Sequence, residues 1–198
     1  MATSKTKIFN MALNELGVTA PIANADAQDD TNAIILRNFY ETARDEVLKG
    51  FDWNFAEKYR QLTPTGDKCL DPRFQFVYDF PNDCLAARSI FEEGGKGLKR
   101  KFKLSANDKG QKVLLTSISP VILRYTRRVE NETLFDPEFA IALALYLAGL
   151  AGQAVTGSAD KANTAMKKYW DKVRLGQISN AAEGQEVDED DSTYLDAR

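Results

Sequence analysis

Histidine is absent from this 198-residue chain, and that removes much of the usual catalytic chemistry. No Ser-His or Cys-His nucleophile pair, imidazole general base or His-based metal triad can be assembled. The two cysteines, Cys69 and Cys84, bracket a turn-rich stretch. Two thiols without histidine do not complete an ordinary zinc site. With no secretory leader at the start of the sequence, they are expected to be free, half-buried thiols in a reducing cytosol. The carboxylates that could serve a two-carboxylate glycosidase are Asp79, Asp83, Glu92 and Glu93; their simpler reading is as solvated turn residues. Gly94-Gly95-Lys96-Gly97 is glycine-rich but falls between expected strands, where it makes a hairpin turn rather than a phosphate cradle. No cofactor or metal is expected.

Charge is distributed more tellingly than it is balanced. Lys96 to Arg128 holds ten Lys or Arg residues and one Asp, a local charge of +9, whereas the whole chain carries −3. Within that block Lys99, Arg100, Lys101 and Lys103 are expected on one hairpin with Phe102 interleaved. Alternation then puts Lys99, Lys101 and Lys103 on one strand face and Arg100, Phe102 and Leu104 on the other. Three uses stay open: phosphate contact without sequence readout, docking to an acidic protein surface, or a soluble hairpin whose charges block edge pairing. Ala181 to Arg198 reverses the sign, with seven acidic residues against one Arg, a local charge of −6. A solubilising tail has no need of Tyr194 and Leu195, so the segment from Val187 to Arg198 reads as a docking arm with those two side chains and Arg198 as anchors.

The elements that must position these groups follow from periodicity. A first helix starts after Thr3 or Ser4, buries Ile8, Ala12 and Leu16, and closes at Gly17. Asp30 or Thr31 caps a second, with Leu36, Phe39, Tyr40, Ala43 and Val47 inward and Gly50 as its stop. An aromatic knot follows, Phe51, Trp53 and Phe55, with Trp53 expected as a structural anchor wedged between helices and sheet. From Ala56 short alternating runs separated by turns predict strands of one small antiparallel sheet: Arg73 to Phe80, Leu85 to Phe91, Leu98 to Leu104, Lys112 to Thr116 and Val121 to Val129. Asp136-Pro137-Glu138, with a capping carboxylate and Pro at the first position, starts a third helix through Val155. It is apolar nearly all round, so it must be covered by its own bundle or by a neighbouring subunit. Its longest apolar run, Phe139 to Ala151, is thirteen residues, short of the roughly 20 that span a bilayer. The fourth helix carries Ala162, Ala165, Met166, Tyr169, Trp170 and Val173 on its buried stripe and fades after Ser179. The expected fold is α+β: a mainly helical four-helix bundle with an inserted small antiparallel β region and an extended C-terminal arm. Residues 1–55 and 132–179 form the two parts of the bundle, 56–131 the insertion and 180–198 the arm.

Five segments in this order, KIFNMALNELGV, ARDEVLKGFDWNFAEKYRQLT, FQFVYDFPNDCLAARSIF, FDPEFAIALALYLAGLAGQAVTGS and the terminal STYLDAR, are spread along nearly the whole chain, from Lys7 to Arg198. Together they resemble the head-to-tail adaptor (connector) proteins of short-tailed bacteriophages, tail tubular protein A type. The resemblance implies a non-enzymatic virion protein, assembled in the host bacterial cytoplasm as a ring of commonly about twelve copies. Such a ring sits beneath the portal protein, joins it to the tail nozzle protein, and helps retain DNA and pass it through the channel without sequence readout. Carried onto this chain, Val187, Tyr194, Leu195 and Arg198 fall in the portal-binding arm. Arg73 to Arg128 would meet the nozzle or the channel wall; the basic hairpin within it matches no pattern of the family, and Lys99, Arg100, Lys101 and Lys103 stand as candidate contacts to the tail component or the DNA channel on their charge alone. A membrane has no part in this. Two other readings are a tail-associated peptidoglycan hydrolase using paired carboxylates and a non-specific DNA-binding module built on the basic hairpin.

Overall fold

In the computed structural model, residues 3–94 and 97–183 are described, with side chains described as far as Arg174. Helix α1 (Lys5–Glu15) starts at Ser4, whose hydroxyl accepts the Lys7 amide, and Gly17 follows it in the left-handed conformation at φ +74°. Asp30 caps α2 (Thr31–Gly50) by accepting the Asn32 and Ala33 amides. Pro137 opens α3 (Pro137–Thr156), but Asp136 at the capping position makes no side-chain capping bond. Gly157, at φ +71°, ends α3 and turns the chain into α4 (Ala159–Glu183).

Between α2 and α3 lie seven strands: β1 (Glu57–Leu62), β2 (Phe76–Asp79), β3 (Cys84–Glu92), β4 (Lys99–Arg100), β5 (Phe102–Ala106), β6 (Lys112–Thr116) and β7 (Val121–Arg127). They form two antiparallel sheets, ordered β1-β7-β3-β4 and β2-β6-β5. This overturns the expectation of a mainly helical four-helix bundle with a small insertion. Among the described residues the protein is α+β, with four helices and two substantial antiparallel sheets. The physical reason is that the β region has apolar cores of its own. Tyr78 and Leu114 from the three-stranded sheet meet Ile90, Val121, Leu123 and Tyr125 from the four-stranded one, all fully buried. A second cluster, Val77, Val113 and Leu115, is closed from outside by Cys69 and Phe74 of the β1–β2 loop.

The helices pack around α3 as a hub, with α1, α2 and α4 each against it. That arrangement covers most of α3, whose length and apolar composition would otherwise suffice to cross a membrane. Only part of the expected α4 stripe is buried. Tyr169 is buried and rests its ring 4.8 Å from Tyr146, whereas Trp170, the next residue, is 56% exposed. Neighbouring helical residues point 100° apart, so a helix packed on one side can bury one of the two.

Phe51, Trp53 and Phe55 do cluster, but around the helical core. Trp53 packs edge-on to Phe139 of α3, centroids 5.2 Å apart, and its indole N–H donates to the Val47 carbonyl at 2.9 Å. Phe55 completes the cluster with Phe135 and Phe139. Trp53 is half-buried.

Candidate functional site

The basic segment does not form one hairpin. Lys99 and Arg100 pair with β3 in the four-stranded sheet, Phe102 begins a strand paired with β6 in the other, and Lys101 is the crossing between them. Strand alternation therefore cannot run through it, and Phe102 turns into the core between the sheets. Within it Arg100 donates to Glu92 at 2.9 Å and Lys103 to Asp71 at 3.0 Å. Lys103 lines a cavity of about 620 Å³ beside the β1–β2 loop. The arm residues Val187, Tyr194, Leu195 and Arg198 lie outside the described residues.

Much of the remaining positive charge joins the β region to α2. Arg88, on an irregular stretch of β3, reaches the exposed end of that helix. It donates to the carbonyls of Lys49 at 3.0 Å and Phe51 at 2.6 Å, and to Thr126 Oγ1 at 2.8 Å. These carbonyls carry the partial negative charge of a helix C-terminus, so a guanidinium is well matched to them. Arg124 holds Asp52 at 2.7 Å and Glu57 at 2.6 Å, and Arg128 holds Asp45 at 2.9 Å. Sequence periodicity gave no sign of this clamp, because Arg88 lies 37 to 40 residues from the carbonyls it serves.

Three of the four candidate carboxylates are held by separate partners. Glu92 is tied to Arg100, Glu93 accepts the Gln61 amide at 2.6 Å, and Asp79 ends β2 on the surface. Asp83 accepts from Lys58 at 2.8 Å and from the Tyr125 hydroxyl at 3.0 Å. Partial burial pushes its carboxyl up, but the bonds from Lys58 and Tyr125 outweigh this and hold it below the ordinary carboxylate range. Such a group stays ionised and is a poor general acid. Its stabilising effect is present above about pH 4, where an unfolded Asp is ionised, and is lost as pH falls through the lower folded value. Asp83→Asn is therefore expected to lower stability at pH 7 and to flatten the acid limb, the gap to the parent narrowing as pH falls below the ordinary aspartate range. Thermal melts across that range check it, and parallel limbs would refute the assignment. Beside it, burial first and the Asp83 charge second push the Cys84 thiol up to about 12, so it is protonated and unreactive at neutral pH.

A cleft of about 850 Å³ lies where β1, the β2–β3 turn, the start of β6 and the end of α2 come together. Four exposed cations, Lys49, Arg60, Lys112 and Arg128, line it with one carboxylate, Asp79, and the amide side chains of Asn82 and Gln111. Its chemistry suits an extended anion: several long donors and no deep apolar pocket. These cations come from four separate stretches of chain, and no sequence motif announced them. Among the described residues, no group of three or more His, Cys, Asp or Glu side chains is placed to hold a metal ion. No known protein-family model and no curated protein sequence matches this chain.

Proposed function

We propose that this protein is a structural head-to-tail adaptor of a short-tailed phage virion, a ring subunit beneath the portal that joins it to the tail nozzle and lets DNA pass. The observation that carries the reading is the resemblance of five segments in order across nearly the whole chain. Two features of the fold support it. A ring subunit needs parts that hold their relative orientation under load, and the Arg88, Arg124 and Arg128 contacts fasten the β region to α2. It also needs apolar surface left for neighbours, and Ile141 on α3 and Trp170 on α4 are 40% and 56% exposed. The hydrolase reading is less well served, since Asp83, Glu92 and Glu93 are each held by a different partner.

The test is electron microscopy of the protein mixed with the portal complex of its phage. An added ring below the portal is expected with the full chain. Deletion of Val187 to Arg198 should reduce attachment at least tenfold while leaving the helical circular dichroism unchanged, the loss of a few anchoring side chains being enough for that. No ring with the full chain would refute the adaptor; full attachment by the truncated chain would refute the arm.

A further inference from the structure

We infer that the cleft lined by Lys49, Arg60, Lys112 and Arg128 is a receptor for an acidic peptide, and that its occupant is the chain's own C-terminal segment, residues 184–198. The inference does not depend on the adaptor reading. Three observations converge on it.

The first is complementarity of charge. Residues 184–198 hold six acidic side chains against Arg198, a local charge of −5, so the rest of the chain is net positive although the whole is −3. The acidic side chains concentrate in Asp188-Glu189-Asp190-Asp191. The cleft presents four cations and one carboxylate to a single concavity.

The second is the shape and chemistry of the cleft. Its lining includes four exposed flexible cations and the amides of Gln61, Asn82 and Gln111, donors that can meet several carboxylates along an extended strand. A nucleic-acid backbone fits less well. Asp79 faces the same space, and Asp45 and Glu46 bind Arg128 and Lys49 at its edge, at 2.9 and 3.0 Å. A phosphate chain, charged at every residue, would meet those carboxylates along its whole length, whereas a peptide can set uncharged residues such as Ser192 and Thr193 against them.

The third is reach. Helix α4 passes the cleft's edge, because a Cβ on Gly50 would lie 3.4 Å from the Tyr169 hydroxyl, and Gly50 adjoins Lys49. From Tyr169 the helix runs fourteen residues to Glu183, about 21 Å at 1.5 Å per residue. Asp191 lies eight residues further on, up to about 27 Å of extended chain. The end of the acidic run, Asp190 and Asp191, can therefore return to the level of Lys49 without disturbing α4.

Zero-length carbodiimide coupling of the full chain tests this, since it joins only a carboxylate and an amine already in contact. An equal mixture of isotopically light and heavy protein is coupled at low salt and digested. Peptides linking Lys112 or Lys49 to Asp188–Asp191 are then sought by mass spectrometry. Links within one isotopic copy, fading in 0.5 M salt, are the expected result. Arg60→Gln, which leaves both lysines available, should lower their yield roughly fivefold, the effect of one exposed ion pair at its upper limit. Links between light and heavy copies would mean that a second copy's segment is the occupant and would overturn the assignment. So would absence of links at these lysines, links spread evenly over all surface lysines, or an Arg60-dependent affinity for a 20-base-pair duplex that leaves the tail links undisturbed.

Discussion

Gly152→Val is expected to destabilise the protein by about 1–3 kcal/mol, the usual cost of overpacking a close contact. On helix propensity alone, replacing this mid-helix glycine should help, by up to about 1 kcal/mol for alanine. The geometry reverses the sign. A Cβ at Gly152 would lie 2.8 Å from Leu16 Cδ2, 2.9 Å from Ala162 Cβ and 3.0 Å from Ala162 Cα, so three helices meet at one point and one of the obstacles is backbone. Gly149, one turn earlier, provides the contrast. Its Cβ would come nearest the flexible end of Met166, 2.6 Å from Cε, which can swing aside. Gly149→Ala should therefore stay within about 1 kcal/mol of the parent, its propensity gain offsetting the displacement. Urea unfolding with an unchanged slope measures both. A Gly152→Val protein as stable as the parent would remove the idea that α4 depends on this seam.

Arg88→Ala is expected to lower stability by about 2–3 kcal/mol, because it strips charge-assisted donors from several acceptors at once. The Lys49 and Phe51 carbonyls, the Thr126 hydroxyl and Asp52 all lose a partner. The half-exposed setting keeps the figure below that of a fully buried pair. Arg88→Lys should recover little, since a single ammonium cannot span the two helix-end carbonyls and the hydroxyl together. The distinguishing readout is hydrogen exchange. Amides in the last turn of α2 should lose protection ahead of the rest of the helix. Uniform loss throughout α2 would show that Arg88 acts on the fold as a whole and not on this junction.

Those two sites also mark how far the sequence could be read. The starts of α1 and α2 are local events, visible as Ser4 and Asp30 ahead of apolar periodicity, and the structure uses both. The start of α3 was legible from Pro137, while the capping bond expected of Asp136 is absent. β6, Lys112–Thr116, occupies the run expected of it. The sheets were underestimated for identifiable reasons. β1 is an edge strand, so four of its six residues, Lys58 to Gln61, are exposed and the segment reads as merely polar. The exchange between sheets at Lys101 leaves no mark on alternation, and one uninterrupted basic strand was the natural reading. The cleft was hidden for a different reason. Arg60, Lys112 and Arg128 become neighbours only through pairings that join distant parts of the chain, and no window along the sequence contains all three.

The pairing of β1 with β7 has a consequence for the history of such a molecule. Glu57 stands opposite Thr126, so the chain leaves the helices and comes back to them at neighbouring points, about 5 Å apart in an antiparallel ladder. Everything between those points forms a cassette with a narrow neck. It could be exchanged for another of different length, or lost and bridged by a few residues, without rerouting α2 or α3. The arginines that lock the cassette against α2 travel inside it, at Arg88 and Arg124, while their targets at Lys49, Phe51 and Asp52 remain with the host helices. A transplanted cassette would carry its own fastening, and a recipient would need only an uncapped helix end and one carboxylate to receive it.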